Sequence, residues 1–322
     1  MTSPYLLRLA WMSLASFFLV HLALGLIVLS LTPTAIRIAG GMRAGSAARF
    51  LLAVRALPCA LAILVVAGLC IPSYLWLEPD GAAEGIGGLA FVSATLCLWI
   101  WTFSIVRGTR ALVRSARYVG KFQTFARGVD HHPATRVIDQ DGPSIGVAGI
   151  FRPQIVIRKD VWAALTPEQL DAALRHEQAH AASHDNLKKL VILLIPDVLP
   201  FTRTGFQDLD RAWARFAEWA ADDRAAGGDP RRSLGLAAAL VRVTRLGTSS
   251  RTPALVTSFV ADANDLGVRV NRLLQATPAV KNPRWLAPLT GAGALFAAAS
   301  ILVALGKPML RAVHELLEAL VR

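Results

Sequence analysis

Three cysteines in 322 residues, at positions 59, 70 and 97, are too few for a disulfide framework. All three fall in or beside long apolar runs, so no thiolate zinc site is suggested either. Charge is equally scarce, at 17% of residues, and four stretches have none in their middle: Leu9–Leu31, about Ala56–Leu77, Gly85–Val106 and Trp285–Leu305. Each is close to the ~20 residues that a membrane-spanning helix requires. A helix in a soluble core would show polar positions every third or fourth residue, and these do not. The first run is too long for a signal-peptide core, and only Arg8 precedes it as a basic residue. Four spans are therefore expected, and no internal repeat or low-complexity tract stands out.

Acidic residues number 22 against 34 basic ones, a net charge of +12. The basic residues gather at the ends of the apolar runs without interleaved aromatics. That pattern suits anionic headgroups better than nucleic acid, and no nucleic-acid partner is expected. Arg37, Arg43, Arg49 and Arg55 follow the first run, and Arg107, Arg110, Arg114, Arg117 and Lys121 follow the third. The connection between runs two and three has Glu78, Asp80 and Glu84 and no base. The bias toward basic cytoplasmic loops then puts residues 107–284 in the cytoplasm and both termini outside, in a multi-pass protein of a bacterial-type inner membrane.

The expected division is three spans in 1–106 (about 9–31, 56–77 and 85–106), a domain over 107–284, a fourth span over 285–305 and a short amphipathic tail over 306–322. Within the domain the reading is α+β. A basic helix runs from Arg107 to about Gly128, and short strands lie near 135–138, 145–150 and 154–157. Helices follow at about 166–195, 208–226, 231–246 and 262–276.

Residues 176–180 read His-Glu-Gln-Ala-His. Positions i and i+4 share one helix face, so His176 and His180 can hold one divalent ion while Glu177 reaches a water beside it. Thr166, Pro167 and Gln169 supply an N-cap, a first-turn proline and a capping box ahead of the motif, and Leu165 with Leu170 a staple. His184 continues the series but stands too far along the axis to converge on the same ion, which makes it a neighbouring or surface residue. Zinc needs a third protein ligand. Glu218 is a candidate on the helix that stops at Gly227-Gly228, with Asp222 one turn on to accept a histidine N–H. The alternative for these two acids is a solvated face paired with Arg211 and Arg215.

His-Glu-x-x-His followed by Glu218-Trp219-Ala220-Ala221-Asp222 resembles the membrane-embedded gluzincin metallopeptidases. These include the heat-shock and prenyl-protein protease group and the antirepressor peptidases of the BlaR/MecR type. Leu165–Leu170 is similar to their "Leu-Ser/Thr-x-Glu-Glu-Leu" lead-in, and Asp185-Asn186 to their "Arg-Asp-Asn" continuation. Gly149–Ile157 is similar to their "Gly-x-x-x-Pro-x-Ile" strand, and Val268–Leu274 to their "Arg-Val-x-Arg-Leu-Leu" segment. The likeness covers about residues 135–275.

The resemblance implies a zincin-like fold with one Zn²⁺ on His176, His180 and Glu218, Glu177 as the catalytic base, and Asp222 and Asp185 bracing the ligands. It also implies an edge strand that pairs with an extended protein or peptide substrate, for which Ile145, Gly146, Val147, Ala148 and Gly149 are the candidates. The oxyanion donor is left open among His131, His132, Arg269 and Arg272. The expected activity is peptide-bond hydrolysis at the cytoplasmic face of the membrane, with a regulator or repressor as one possible substrate. Only about seventeen residues follow the last span, where the antirepressor proteins often carry a sensor. The alternative is a catalytically silent membrane transducer or scaffold that keeps the fold. Nothing in the sequence fixes the oligomeric state.

Overall fold

A helix of 38 residues is about 57 Å long, nearly twice the ~30 Å thickness of membrane hydrocarbon. Among its described residues the chain has two of that length. A computed structural model describes residues 3–77, 87–125, 127–129, 132–139, 143–197, 206–247, 255, 257–259, 263–275, 312 and 315. Helix α1 is Ser3–Gly40 and α2 is Ala44–Val65. A π-helical turn over Val66–Cys70 joins α2 to α3 (Ile71–Leu77), and α4 is Gly88–Phe125.

Three helices among the described residues are long and apolar enough to cross a membrane: Tyr5–Gly40, Ala44–Leu77 and Gly88–Gly120. They meet through small side chains, Ala15, Cys59, Ala62, Ala90, Ala94 and Cys97, all buried together with Met12 and Phe17. Small residues let backbones approach where lipid offers no hydrophobic drive to associate. Leu26, Ile27, Leu31, Phe91 and Val92 point outward. The fourth expected span, 285–305, lies outside the described residues, as does all of the 306–322 tail except two positions.

The second span was expected to begin near residue 56, yet its helix begins at Ala44. Its first three turns are covered by other parts of the chain. Ala44, Ala47, Ala48 and Leu51 pack against Leu209, Ala212, Trp213 and Phe216. Arg55, read from sequence as a loop charge, is consequently mid-helix and only 1% exposed. The basic helix expected from Arg107 is likewise the continuation of the third span, because nothing between Val106 and Arg107 breaks it.

The rest of the described chain is a small mixed sheet with helices on it. Strands β1 (Arg127–Val129), β2 (His132–Ile138), β3 (Ile145–Ala148), β4 (Gln154–Arg158) and β5 (Thr257–Ser258) lie in the order β1-β2-β4-β3-β5. Only β2 and β4 run parallel. Helix α5 (Lys159–Ala164) leads into α6 (Pro167–Ser183), followed by α7 (Asp185–Leu194), α8 (Gln207–Ala226), α9 (Pro230–Arg245) and α10 (Ala263–Leu274).

Helix α6 starts where its capping residues require. The Thr166 hydroxyl accepts from Gln169 N at 3.3 Å, and the Gln169 side chain accepts from Thr166 N at 3.2 Å. Its apolar side, Ala172, Ala173 and Leu174, packs on Ile145, Ile157, Val147 and Ile155 of the sheet and on Leu236, Ala239 and Leu240 of α9. With that stripe buried, the opposite side of α6 turns toward α8.

Candidate metal centre

The helix expected over 166–195 is two helices. His184 takes a left-handed conformation (φ 53°, ψ 43°), ending α6 and starting α7. The break matters for Asp185. Five residues along a continuous helix, it would lie about 140° around the axis from His180. The kink brings it back, so that Asp185 Oδ2 is 2.7 Å from His180 Nδ1. The His184 side chain itself is exposed.

His176 and His180 are buried, with Nε2 atoms 3.1 Å apart. Glu218 reaches them from α8, its two carboxylate oxygens each 3.5 Å from one Nε2. These three residues form a group able to hold a metal ion. The edges of the triangle suit the purpose, since a tetrahedral ion with bonds of ~2.0–2.1 Å has ligand–ligand separations of about 3.3 Å. The far nitrogens are engaged: His180 Nδ1 by Asp185, and His176 Nδ1 by Asp222 Oδ1 at 2.9 Å, a contact close enough for a hydrogen bond though skewed. With the Nδ1 sides turned to carboxylates, the two Nε2 atoms are left facing each other, and a cation bound between them would take the place of the protons they carry.

Charge around the group is tightly compensated. Burial, the largest single influence on His180, lowers its pKa, but Glu218 and Asp185 outweigh it and push it up to about 10. For His176 burial is again overcome, by Asp222 and Glu218, and its pKa is raised. Burial favours the protonated forms of Glu218 and Asp222, yet His180 and Arg269 hold the first well below the usual carboxylate range, and Arg269 and His176 depress the second. Glu177 differs. It is fully buried, both of its oxygens lack a hydrogen-bond partner among the described residues, and burial raises its pKa against the pull of the two histidines.

Of the four side chains left open as oxyanion donors, Arg269 and Arg272 have other work. Arg269 grips both oxygens of Asp222, approaches Glu218 Oε2 at 3.1 Å and donates to the Phe259 carbonyl at 2.9 Å. Arg272 pairs with Asp223 at 2.6 Å. His131 and the side chain of His132 lie outside the described residues.

The expected substrate strand is corrected by the pairing. Ile145–Ala148 is not an open edge, because β4 covers one side and β5 the other, with Gly146 opposite Ser258 and Val147 opposite Thr257. Phe259 N donates to Ile145 O at 3.0 Å, and the Phe259 ring stands edge-on to His176 with centroids 5.1 Å apart. The strand also stops at Ala148. Gly149, the last of the candidates for pairing with a substrate, is instead required by a turn. At φ 95° a Cβ there would lie 2.6 Å from the Arg152 carbonyl oxygen. Asn186 ties the turn to α7, donating to the carbonyls of Val147 at 3.0 Å and Gly149 at 2.9 Å.

Sequence reasoning did not find the cleft that leads to the group. It has a volume of about 600 Å³ and reaches His180 and Glu218, with Thr32, Pro33 and Ile36 of α1 on one wall and Lys189 of α7 on another. Nothing short-range in the sequence links α1 to residues 150 positions later. No family model, curated protein or solved structure matches the chain.

Proposed function

We propose that the protein is a zinc-dependent endopeptidase of the membrane, with the gluzincin arrangement, acting on a protein segment at the cytoplasmic face. The observation that carries this reading is the partnerless, fully buried carboxylate of Glu177 next to two converging imidazoles and Glu218. An idle carboxylate in that position is costly unless it works on something that enters. His176, His180 and Glu218 would hold the ion, and Asp222 and Asp185 would keep the rings in the tautomer that ligation needs. When bound, zinc would supply Lewis acidity, lowering the pKa of water and drawing charge from a carbonyl oxygen. Glu177, made more basic by burial, takes the proton of the attacking water and returns it to the departing amine. The wall formed by α1 supports a substrate presented close to the bilayer.

Orientation follows the same logic. The basic ends of α1, α2 and α4 gather on the side that carries the metal group, where Arg55 and Arg107 share the carboxylate of Asp197. The cytoplasm is the side that basic termini favour.

One observation favours a silent transducer instead: β5 occupies the edge of β3 that a substrate strand would use. Purified full-length protein separates the two. The endopeptidase holds one zinc by elemental analysis and cleaves an unfolded polypeptide, and Glu177→Gln keeps the zinc and loses the cleavage. Zinc without any cleavage by the wild type rejects the peptidase reading.

A further inference from the structure

The cleft wall beside the metal group carries an ammonium with no hydrogen-bond or ion-pair partner among the described residues. Lys189 lies one turn beyond Asp185 on α7, hence on the face that meets His180, and it lines the cleft together with His180 and Glu218. Of the other cations of the cleft, two are held by carboxylates and Arg215 has ring contacts only. Arg211 pairs with Asp208 at 2.6 Å, Arg269 is bound to Asp222 and Glu218, and the Arg215 guanidinium stacks 5.5 Å over Trp219. Even its neighbour is engaged, since Lys188 donates to Asp185 Oδ1 at 2.8 Å. Lys189 makes no hydrogen bond or ion pair among the described residues. Burial acts on it most and lowers its pKa, while Glu218, Asp185 and Glu177, in that order, oppose the shift from longer range. A half-buried ammonium on a flexible stem, facing a cleft among three carboxylates, is free to follow negative charge that develops there.

We propose that Lys189 is the oxyanion donor of this site, a role that rests on the peptidase reading. In the step concerned, a water oxygen bonds to the peptide carbonyl carbon while one water proton passes to Glu177. The π pair of the C=O withdraws onto the carbonyl oxygen, and Lys189 donates a hydrogen bond to that oxygen as its charge grows. The C–N bond then breaks with its pair going to nitrogen, which takes the proton from Glu177. The carbonyl re-forms, and ionisation of the new acid supplies the last proton, leaving a carboxylate and an ammonium. Lys189 neither gains nor loses a proton in the sequence.

The test compares the zinc-loaded wild type, Lys189→Met and Lys189→Arg as full chains in lipid nanodiscs. Lys189→Met should keep one zinc and lower kcat roughly 10²–10³-fold, with KM changed far less. Calorimetry provides a readout apart from turnover. A phosphinic peptide, which carries fixed negative oxygens where the oxyanion would stand, should lose affinity for Lys189→Met by a similar factor. Lys189→Arg should recover part of both losses. If Lys189→Met sheds its zinc, Lys189→Gln takes its place in the same comparison. Wild-type kcat and phosphinic-peptide affinity in the neutral variant overturn the proposal, and so does a change in KM alone, which would mark a ground-state contact. A wild type that holds zinc but neither cleaves peptides nor takes up the phosphinic peptide overturns the peptidase reading itself.

Discussion

Arg269 donates through Nε and Nη2 to the two oxygens of Asp222, at 2.9 and 2.7 Å, and both side chains are buried. The pair joins α10 to α8 across 47 residues. Its position explains why Asp222 stays ionised at zero exposure, and so remains able to accept from His176.

Removing the guanidinium should therefore damage both stability and metal binding. Arg269→Met leaves a buried carboxylate uncompensated, a loss of about 3–5 kcal/mol. Zinc affinity should fall roughly 10–100-fold, since a bracing partner of a ligand histidine is disturbed. Lysine cannot reproduce the two-pronged contact, so Arg269→Lys should recover only part of either. Denaturant unfolding and a chelator competition measure the two quantities. Unchanged zinc affinity in Arg269→Met would remove the link from α10 to the metal group.

Proton release on metal uptake is the second expectation. The pKa of His180 in the folded, metal-free protein is raised from 6.5 to about 10, and that of His176 is raised as well. Their contribution to the stability of the metal-free fold is fully present below pH ~6.5, and that of His180 is lost as pH rises through about 10. The depressed carboxylates work in the opposite sense. Glu218, Asp222 and Asp185 contribute above their unfolded values of 4.5, 3.8 and 3.8, and the contribution is lost as pH falls. Zinc requires neutral imidazoles, so binding near pH 7 should expel the His180 proton and up to one more from His176. Calorimetry in two buffers of different ionisation enthalpy counts them. Zinc uptake without proton release would contradict this charge state.

How far the sequence discloses such features depends on their range. The capping box at Thr166 and Gln169 and the i, i+4 pairs at His176/His180 and Glu218/Asp222 are local patterns, and the helices carry them where spacing puts them. The break at His184 has no glycine or proline to announce it, because it is set by what Asp185 meets across the kink. Arg55 illustrates the opposite limit. Charge counting places it in a loop, since its partners Asp197 and Asp210 lie 142 and 155 residues away. The covering of β3 by β5 is equally long-range, and a two-residue strand leaves no periodicity to read.

The Arg55 cluster yields the third prediction. Arg55 bonds Asp197 and, at 3.1 Å, Asp210, and its guanidinium lies 4.4 Å from the centre of the Phe206 ring. Arg107 takes the other oxygen of Asp197 at 2.6 Å. Two of the long apolar helices, α2 and α4, thus hold both ends of the segment between α7 and α8. Arg55→Met should cost about 1.5–3 kcal/mol because the part-buried Asp210 loses its charged partner, while Arg55→Met combined with Asp210→Leu should recover much of that loss. Unfolding in detergent reads the cycle, and simple additivity of the two substitutions would dismiss the coupling.

His184 gives the sharpest separation of backbone from side chain. Its exposed imidazole makes no hydrogen bond or ion pair among the described residues, but its left-handed backbone delivers Asp185 to His180. Glycine accepts that conformation freely, so His184→Gly should leave zinc affinity within a few-fold and stability within about 1 kcal/mol. Valine resists it, at a cost of roughly 1–2 kcal/mol, and favours running α6 straight on into α7. A straight helix swings Asp185 away from His180 Nδ1. His184→Val should therefore weaken zinc binding by roughly 10–100-fold, approaching the effect of Asp185→Ala. If valine and glycine bind zinc alike, the kink is not what positions Asp185, and the carboxylate must find His180 by side-chain reach alone.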